Sequence, residues 1–384
     1  MPQNLIADRL IEEAHRVTGL DQFDAETFRE GLEIFLADFN RQELPDWGVD
    51  RTREAVVTAL ATRLKTTSYL KARPELLARP VERPIFVFGI PRTGTTLLNN
   101  LLAADPQHRS PLSWEIDDPI PPATTETLYT DPRALARLEQ ERVMLEANPE
   151  VGKYYRFSAI YPNECLFFMG HDFKNTHWEA RGKLPNYRDY IFGDIDMKPA
   201  YNYHKRFLQI LQAEAPGIWN LKMPSHALYL DTILDVYPDA RLIWTHRDPL
   251  TATGSFCSLI DNGGKMSIGF SDKEWIGQNM PWQAVKHVER IMDVRDKLGE
   301  GRIIDVHYAD LMRDPIGSMK TLYVALGEPL TPEAEAGMTA WLADNPQGKF
   351  GKHAYKLAEY GLMAEDLKGR FDRYLSRYTV EVEG

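Results

Sequence analysis

A short apolar run, Ile85-Phe86-Val87-Phe88, leads straight into Gly89-Ile90-Pro91-Arg92-Thr93-Gly94-Thr95-Thr96, and a helical pattern follows from about Thr95 through Ala104. No other stretch of the chain restricts its fold as much. A continuous apolar run of this length fits a strand buried on both faces. Two glycines five residues apart, with hydroxyl residues at a helix start, make a loop whose backbone N–H groups converge on an anion. The spacing is that of the phosphate-binding loop G-x-x-x-x-G-K-[ST], with Thr95 at the lysine position. That lysine would reach the β- and γ-phosphates of a nucleoside triphosphate, so Thr95 argues against triphosphate hydrolysis. Thr95 and Thr96 still offer hydrogen bonds to a terminal phosphate, and Arg92 supplies positive charge from another direction. A glycine turn that merely joins a strand to a helix is the plainer alternative, and the strand-loop-helix order weighs against it.

Three further runs resemble the first: Ile218-Trp219-Asn220-Leu221, Leu242-Ile243-Trp244-Thr245 and Ile303-Ile304-Asp305-Val306. Helix-like stretches follow them at Leu228–Val236, Ala252–Ile260 and Ile316–Leu326. The alternation predicts an α/β fold, a P-loop-type parallel sheet flanked by helices. Ligands of such sheets sit beyond the carboxyl ends of the strands. Residues 1–80 read as a helical segment, with Leu5, Ile6, Leu10, Ile11 and Ala14 at helical spacing, and Phe28, Leu32, Phe35 and Phe39 after them. The main α/β domain is expected over 81–384. Within it, 116–215 is an insertion read as helical or irregular, and 14 of the 54 residues between 154 and 207 are aromatic, against 11% for the chain.

Bulk properties exclude several classes. The formal net charge is −11, the opposite of what broad binding to nucleic acid or an anionic membrane requires. No apolar run is long enough for a membrane span, and the start, Met1-Pro2-Gln3-Asn4, lacks the pattern of a secretory signal. With two cysteines, Cys165 and Cys257, neither a disulfide framework nor a thiolate metal cluster is expected, and a reducing cytoplasmic compartment is.

A second basic site follows the third of these strands. Arg247, in Thr245-His246-Arg247-Asp248-Pro249, stands at the strand's end, and Ser255 lies eight residues on. Both can face one phosphate, although an Arg-Asp-Pro at a strand end also makes an ordinary turn. Together, the two segments resemble the donor site of sulfotransferases that use 3′-phosphoadenosine 5′-phosphosulfate (PAPS). Pro91-Arg92-Thr93-Gly94-Thr95-Thr96 is similar to that family's 5′-phosphosulfate loop, and Arg247 with Ser255 to its 3′-phosphate site. Leu221-Lys222-Met223-Pro224-Ser225-His226 and Tyr308-Ala309-Asp310-Leu311 extend the resemblance, which spans about 84–355 and is closest to the bacterial and tyrosylprotein-like branch. There are two departures. Arg92 replaces the lysine of many cytosolic members, and the Arg-Lys-Gly run that often completes the 3′-phosphate site is absent. Lys349-Phe350-Gly351-Lys352-His353 is the nearest substitute, so Lys349, Gly351 and Lys352 are assigned to the donor site, with a solvated basic face as the alternative for the two lysines.

The resemblance implies metal-free, in-line transfer of a sulfuryl group from PAPS to a hydroxyl or amine of a small-molecule acceptor. By analogy with phosphoryl transfer, positioning and stabilisation of the leaving oxygen carry the catalysis. Arg92, Lys222 and the loop amides fit that role. Two residues compete as the base. Glu115, in Ser113-Trp114-Glu115, is similarly placed to the catalytic glutamate of the tyrosylprotein-like branch and is favoured, with a surface carboxylate as the alternative. His226 is expected to orient the acceptor or stabilise the leaving group, unless it is a helix-start residue bonded to backbone. No HExxH pattern or cysteine–histidine cluster is evident, and His171 and His177 near Glu164 match no common metal spacing.

The aromatic insertion is the expected acceptor cap. Tyr154, Tyr155, Phe157, Tyr161, Phe167 and Phe168 line an apolar or aromatic acceptor pocket, or else form a small satellite core. A P-loop kinase of a small metabolite would carry lysine at position 95 and an acidic metal-binding residue at a strand end. A non-catalytic nucleotide-binding protein of the same fold would be expected to lose Arg92, Lys222 or Glu115, and this chain has all three.

Overall fold

The computed structural model describes residues 4–147, 158–346 and 356–383. Its centre is a parallel sheet of five strands: β1 (Ile85–Gly89), β2 (His108–Arg109), β3 (Ile218–Lys222), β4 (Arg241–His246) and β5 (Ile303–His307). The strand order is β2-β3-β1-β4-β5. All four predicted strands form. The fifth, β2, is two residues long, too short to leave a periodic signal in the sequence. It pairs with β3 at His108↔Ile218 and Arg109↔Trp219.

Alternation along β1 decides which helices cover which face. Ile85 and Val87 point into a core with Leu98, Leu101 and Leu102 and with Met319, Leu322 and Leu326 of the helix Pro315–Leu326. Phe86 and Phe88 point the other way, against Phe207, Leu208 and Leu211 of the helix Lys198–Leu211 and Ile291 and Met292 of the helix Lys273–Leu298. Every residue of β1 is buried, which is why the run reads as continuously apolar.

The first 80 residues supply α1 (Ala7–Thr18), α2 (Arg29–Phe39) and α3 (Asp46–Ala72). They share a hydrophobic core with Phe173, Trp178, Tyr187 and Ile191 of the insertion. A buried guanidinium reinforces the junction, because Arg63 of α3 lies 2.5 Å from Asp172 and 2.9 Å from Asp24. Removing one partner of such a pair leaves an uncompensated buried charge, at a cost of roughly 3–5 kcal/mol. The insertion is more regular than its sequence suggests. It contains the helices Pro132–Ala147, Pro185–Phe192 and Lys198–Leu211. In the last of these Tyr201, His204, Leu208 and Leu211 recur on the buried face, a period that the high aromatic content obscures.

Because β1, β3 and β4 are parallel and in register, Gly89, Lys222 and His246 end at the same edge of the sheet. That register brings the loop after β1, the lysine that closes β3 and the arginine after β4 together.

Candidate active site

The loop after β1 enters helix α4 (Thr95–Ala103) through Gly94, whose φ of 89° falls in the left-handed region that favours glycine. A Cβ there would also lie 2.7 Å from the ring of Tyr308. The first bond within α4 runs from the Leu98 N–H to the Gly94 carbonyl at 3.1 Å, so the N–H groups before it point out of the helix toward the loop. Arg92 has a φ of 75°, uncommon for a residue with a side chain, and its carbonyl accepts a 2.8 Å bond from Arg247 Nη1. Thr93 is buried and its hydroxyl is taken up internally, 2.6 Å from Thr245 Oγ1 and 2.7 Å from the Ile90 carbonyl. Its side chain thus ties the loop to β4. Thr95 is buried at the first helical position, and Thr96 is exposed beside it.

The two basic segments of the sequence meet here. Arg92 Nε donates to Ser255 Oγ at 3.1 Å. Arg247 stacks its guanidinium 4.2 Å from the ring of Tyr308. It also grips the carboxylate of Glu383, Nε to Oε1 at 2.5 Å and Nη2 to Oε2 at 2.7 Å. A two-pronged carboxylate contact is the arrangement by which a guanidinium holds a phosphate. Tyr308 is thus wedged between Gly94 and Arg247, a positioning role that only its place in a similar motif hinted at. Lys349, Gly351 and Lys352 lie outside the described residues, as do Tyr154, Tyr155 and Phe157.

Lys222, at the end of β3, is 4% exposed. Its ammonium lies 3.3 Å from Thr96 Oγ1 and 2.5 Å from Glu164 Oε1. The neighbouring strand therefore delivers to the loop the amine that position 95 lacks. Glu164 immediately precedes the short helix Cys165–Met169, and its side chain, 25% exposed, turns to Lys222 and makes no capping bond. Main-chain bonds hold this segment against the chain after β2: Asn163 N–H to the Pro111 carbonyl at 2.8 Å, and Trp114 N–H to the Ala159 carbonyl at 3.0 Å. In the sequence Glu164 attracts attention only through its nearness to His171 and His177. Its partner lies 58 residues away in the chain, beyond the reach of spacing arguments.

The two residues expected to act as the base are placed differently. Glu115 is 1% exposed. One of its oxygens accepts from Arg109 Nη2 at 2.5 Å and the other from the Leu112 N–H at 3.1 Å. Burial pushes its carboxyl up, against the pull of the Arg109 charge. Arg109 in turn stacks on Trp219, 4.5 Å from the ring. The expectation of a carboxylate open to an acceptor does not match this site, because both oxygens are engaged and water is excluded. His226 is also fully buried, with Nδ1 2.7 Å from Tyr201 Oη and its ring edge-on to Phe86. Burial holds its imidazole well below the usual histidine range. It faces the core behind β1, so direct contact with an acceptor, as expected from the sequence, does not match its position either.

His171 binds Tyr203 Oη at 2.9 Å, while His177 packs on Phe167 and Trp178. Of the aromatics expected to line the cap, Phe168 belongs to the core and stacks on Phe207. Tyr161 and Phe167 are exposed, and they bracket Glu164 in the chain.

Known proteins resemble this chain in sequence and in fold. The model of the Sulfotransferase family matches residues 84–332. The omega-hydroxy-beta-dihydromenaquinone-9 sulfotransferase Stf3 of Mycobacterium bovis is 26% identical over 319 residues, 78% of this chain and 76% of the relative. Among solved structures, sulfotransferase STF9 of Mycobacterium avium superposes with a TM-score of 0.91 at 41% identity, covering 98% of both chains. Sulfotransferase STF1 of Mycobacterium tuberculosis gives 0.87 at 31% identity, covering 97% of this chain and 100% of that one.

Proposed function

The chain belongs to the sulfotransferase family and is a sulfotransferase enzyme, and from that premise we propose that it moves the sulfuryl group of PAPS to a hydroxyl of an apolar small-molecule acceptor. The observation that carries this reading is the position of Lys222 Nζ, between Thr96 Oγ1 of the anion loop and the carboxylate of Glu164. A cation at the leaving group and a base at the nucleophile are the two groups that sulfuryl transfer needs, and here they touch.

In this mechanism the loop N–H groups and Thr96 bind the 5′-phosphosulfate, with Arg92 adding charge from the side of Ser255. Arg247 and Ser255 hold the 3′-phosphate, with Lys349, Gly351 and Lys352 as further donors. The bidentate Glu383 contact supports that assignment, since a carboxylate already satisfies the anion geometry of Arg247. Glu164 accepts the acceptor's proton as the acceptor oxygen bonds to sulfur. The bond from sulfur to the 5′-phosphate oxygen breaks, its electron pair stays on the bisphosphate, and Lys222 and the loop amides stabilise that developing charge. Lys222 holds Glu164 in place until the donor competes for the ammonium. Glu115 acts one layer back: it fixes Arg109, and the segment it caps holds the Glu164 loop.

The acceptor is expected to be apolar. Exposed Tyr161 and Phe167 flank Glu164, within a cap formed by 116–215 on the catalytic unit 81–384. A relative named for a hydroxylated dihydromenaquinone supports the same class. No described helix is long and apolar enough to cross a membrane, and a cytoplasmic site of action is proposed.

Calorimetric titration with adenosine 3′,5′-bisphosphate, against adenosine 5′-monophosphate and ATP, tests the donor. Micromolar binding that requires the 3′-phosphate and ignores magnesium is expected. Magnesium-dependent binding of ATP, with no response to the bisphosphate, would replace this reading with a kinase.

A further inference from the structure

The helix Cys165–Met169, the helix Lys198–Leu211 and the turn Pro224–Leu228 converge behind β1. Each contributes one residue that the reaction above does not use directly: Cys165, His204 and His226, all 0% exposed. One ligand atom from each lies within 4.8 Å of the others, the only such group of three among the described residues. The sequence conceals it, because the three positions are 39 and 22 residues apart and follow no ligand spacing.

The hydrogen bonds give this convergence a direction. His204 Nδ1 lies 2.6 Å from Tyr237 Oη, and His226 Nδ1 lies 2.7 Å from Tyr201 Oη. The Nε2 atom of each ring is buried with no hydrogen-bond partner among the described residues. Two buried imidazole nitrogens left unsatisfied in one core cost free energy unless something binds them. A phenol on Nδ1 is also the kind of outer partner that fixes a metal-ligating histidine, setting its orientation and leaving Nε2 as the ligand.

We propose that Cys165 Sγ, His204 Nε2 and His226 Nε2 form a buried three-coordinate site for a soft monovalent cation, copper(I).

Charge and coordination number argue for that ion. One thiolate and two neutral imidazoles around copper(I) carry no net charge, as a site walled by Phe86 and Phe168 requires. Zinc(II) in the same place would leave one positive charge and a vacant fourth position in a water-free core. Thiolate and imidazole also suit copper(I) by softness. Three atoms within 4.8 Å of one another share a centre no more than about 2.8 Å from each, so each ligand closes by roughly half an ångström to reach usual bond lengths. The Cys165 thiol releases its proton to solvent as the sulfur–copper bond forms, one proton per ion. No electron is transferred.

Two ligands sit on the segments that carry the reactive groups. Cys165 follows Glu164 directly, and His226 lies four residues after Lys222. An ion here would draw both segments inward and change turnover. That consequence rests on the sulfuryl-transfer reading, whereas the binding itself does not.

The test is an anaerobic titration of the reduced full chain with copper(I), in competition with bathocuproine disulfonate. One equivalent should bind, with one proton released. Cys165→Ala should lose at least about 100-fold in affinity and Tyr201→Phe about 10–100-fold, while Cys257→Ala should bind as the parent does. X-ray absorption on the parent, which needs no variant to fold, should show one sulfur and two imidazole nitrogens. Failure to compete, unchanged affinity in Cys165→Ala, equal loss in Cys257→Ala, an oxygen-rich shell, or preferential uptake of zinc(II) would each overturn the assignment. Bisphosphate binding measured in parallel separates the two readings, since either can fail while the other stands.

Discussion

Two glutamates on adjoining segments, Glu115 and Glu164, both pair with a cation at 2.5 Å, yet their surroundings differ. Glu115 and Arg109 are enclosed, with side chains 1% and 4% exposed. Glu164 meets a lysine that is 4% exposed but is itself 25% exposed, and Lys222 also reaches the anion loop. A sealed ion pair holds structure, because separating it strands a charge in a low dielectric. A pair with one open side can exchange partners, as the proposed reaction, with an anion at the lysine and a proton passed to the glutamate, requires. Chemical type and position relative to the loop do not separate the two residues. Access to solvent does.

The largest expected effect lies on the open pair. Glu164→Gln should lower kcat by about 10²–10⁴-fold and leave bisphosphate affinity within about twofold. If kcat survives in Glu164→Gln and disappears in Glu115→Gln with the fold intact, the roles of the two are exchanged. Lys222→Ala should lose about 10²–10³-fold in kcat, the usual cost of one preorganised donor to a developing charge. A loss confined to KM would make it a binding residue only.

Glu115→Gln belongs to the other side of the comparison. It leaves the Arg109 charge buried with a weaker partner, and stability should fall by as much as about 3–5 kcal/mol. Denaturant titration reads that loss, while kcat per folded molecule should change by less than a factor of about ten. The smallest effect is expected at the site's edge. Glu383→Gln removes a half-open competitor from Arg247, a contact worth about 0.2–1 kcal/mol. Bisphosphate should therefore bind up to about fivefold tighter at low salt, and the gain should shrink as salt rises. Weaker binding would mean that Glu383 orders Arg247 for the ligand.

Much of the molecule is legible in its sequence. The four strands stand out because β1, β3 and β4 are buried along nearly their whole length and their sequences are mostly apolar. The loop stands out because left-handed backbone at Gly94 and the close approach of Tyr308 demand glycine. Arg92, Lys222 and Arg247 were legible as cations following strands, and register then brings them to one edge. The helices of the insertion are less visible, since their buried faces mix Tyr and His with Leu and Ile.

Other features had no local trace. The two-residue β2 is defined only by its pairing with β3. Glu164 acquires a role only by meeting Lys222, and Cys165 meets His204 and His226 only when three distant segments pack behind β1. The sequence by itself determined the architecture, the anion loop and the cations around it, because those depend on local backbone geometry and on the period of apolar residues. Tertiary structure alone decided which glutamate is open and which is sealed. Burial, and the proton and charge behaviour that follow from it, are properties of a residue's neighbours in space, and the order of the chain does not record them.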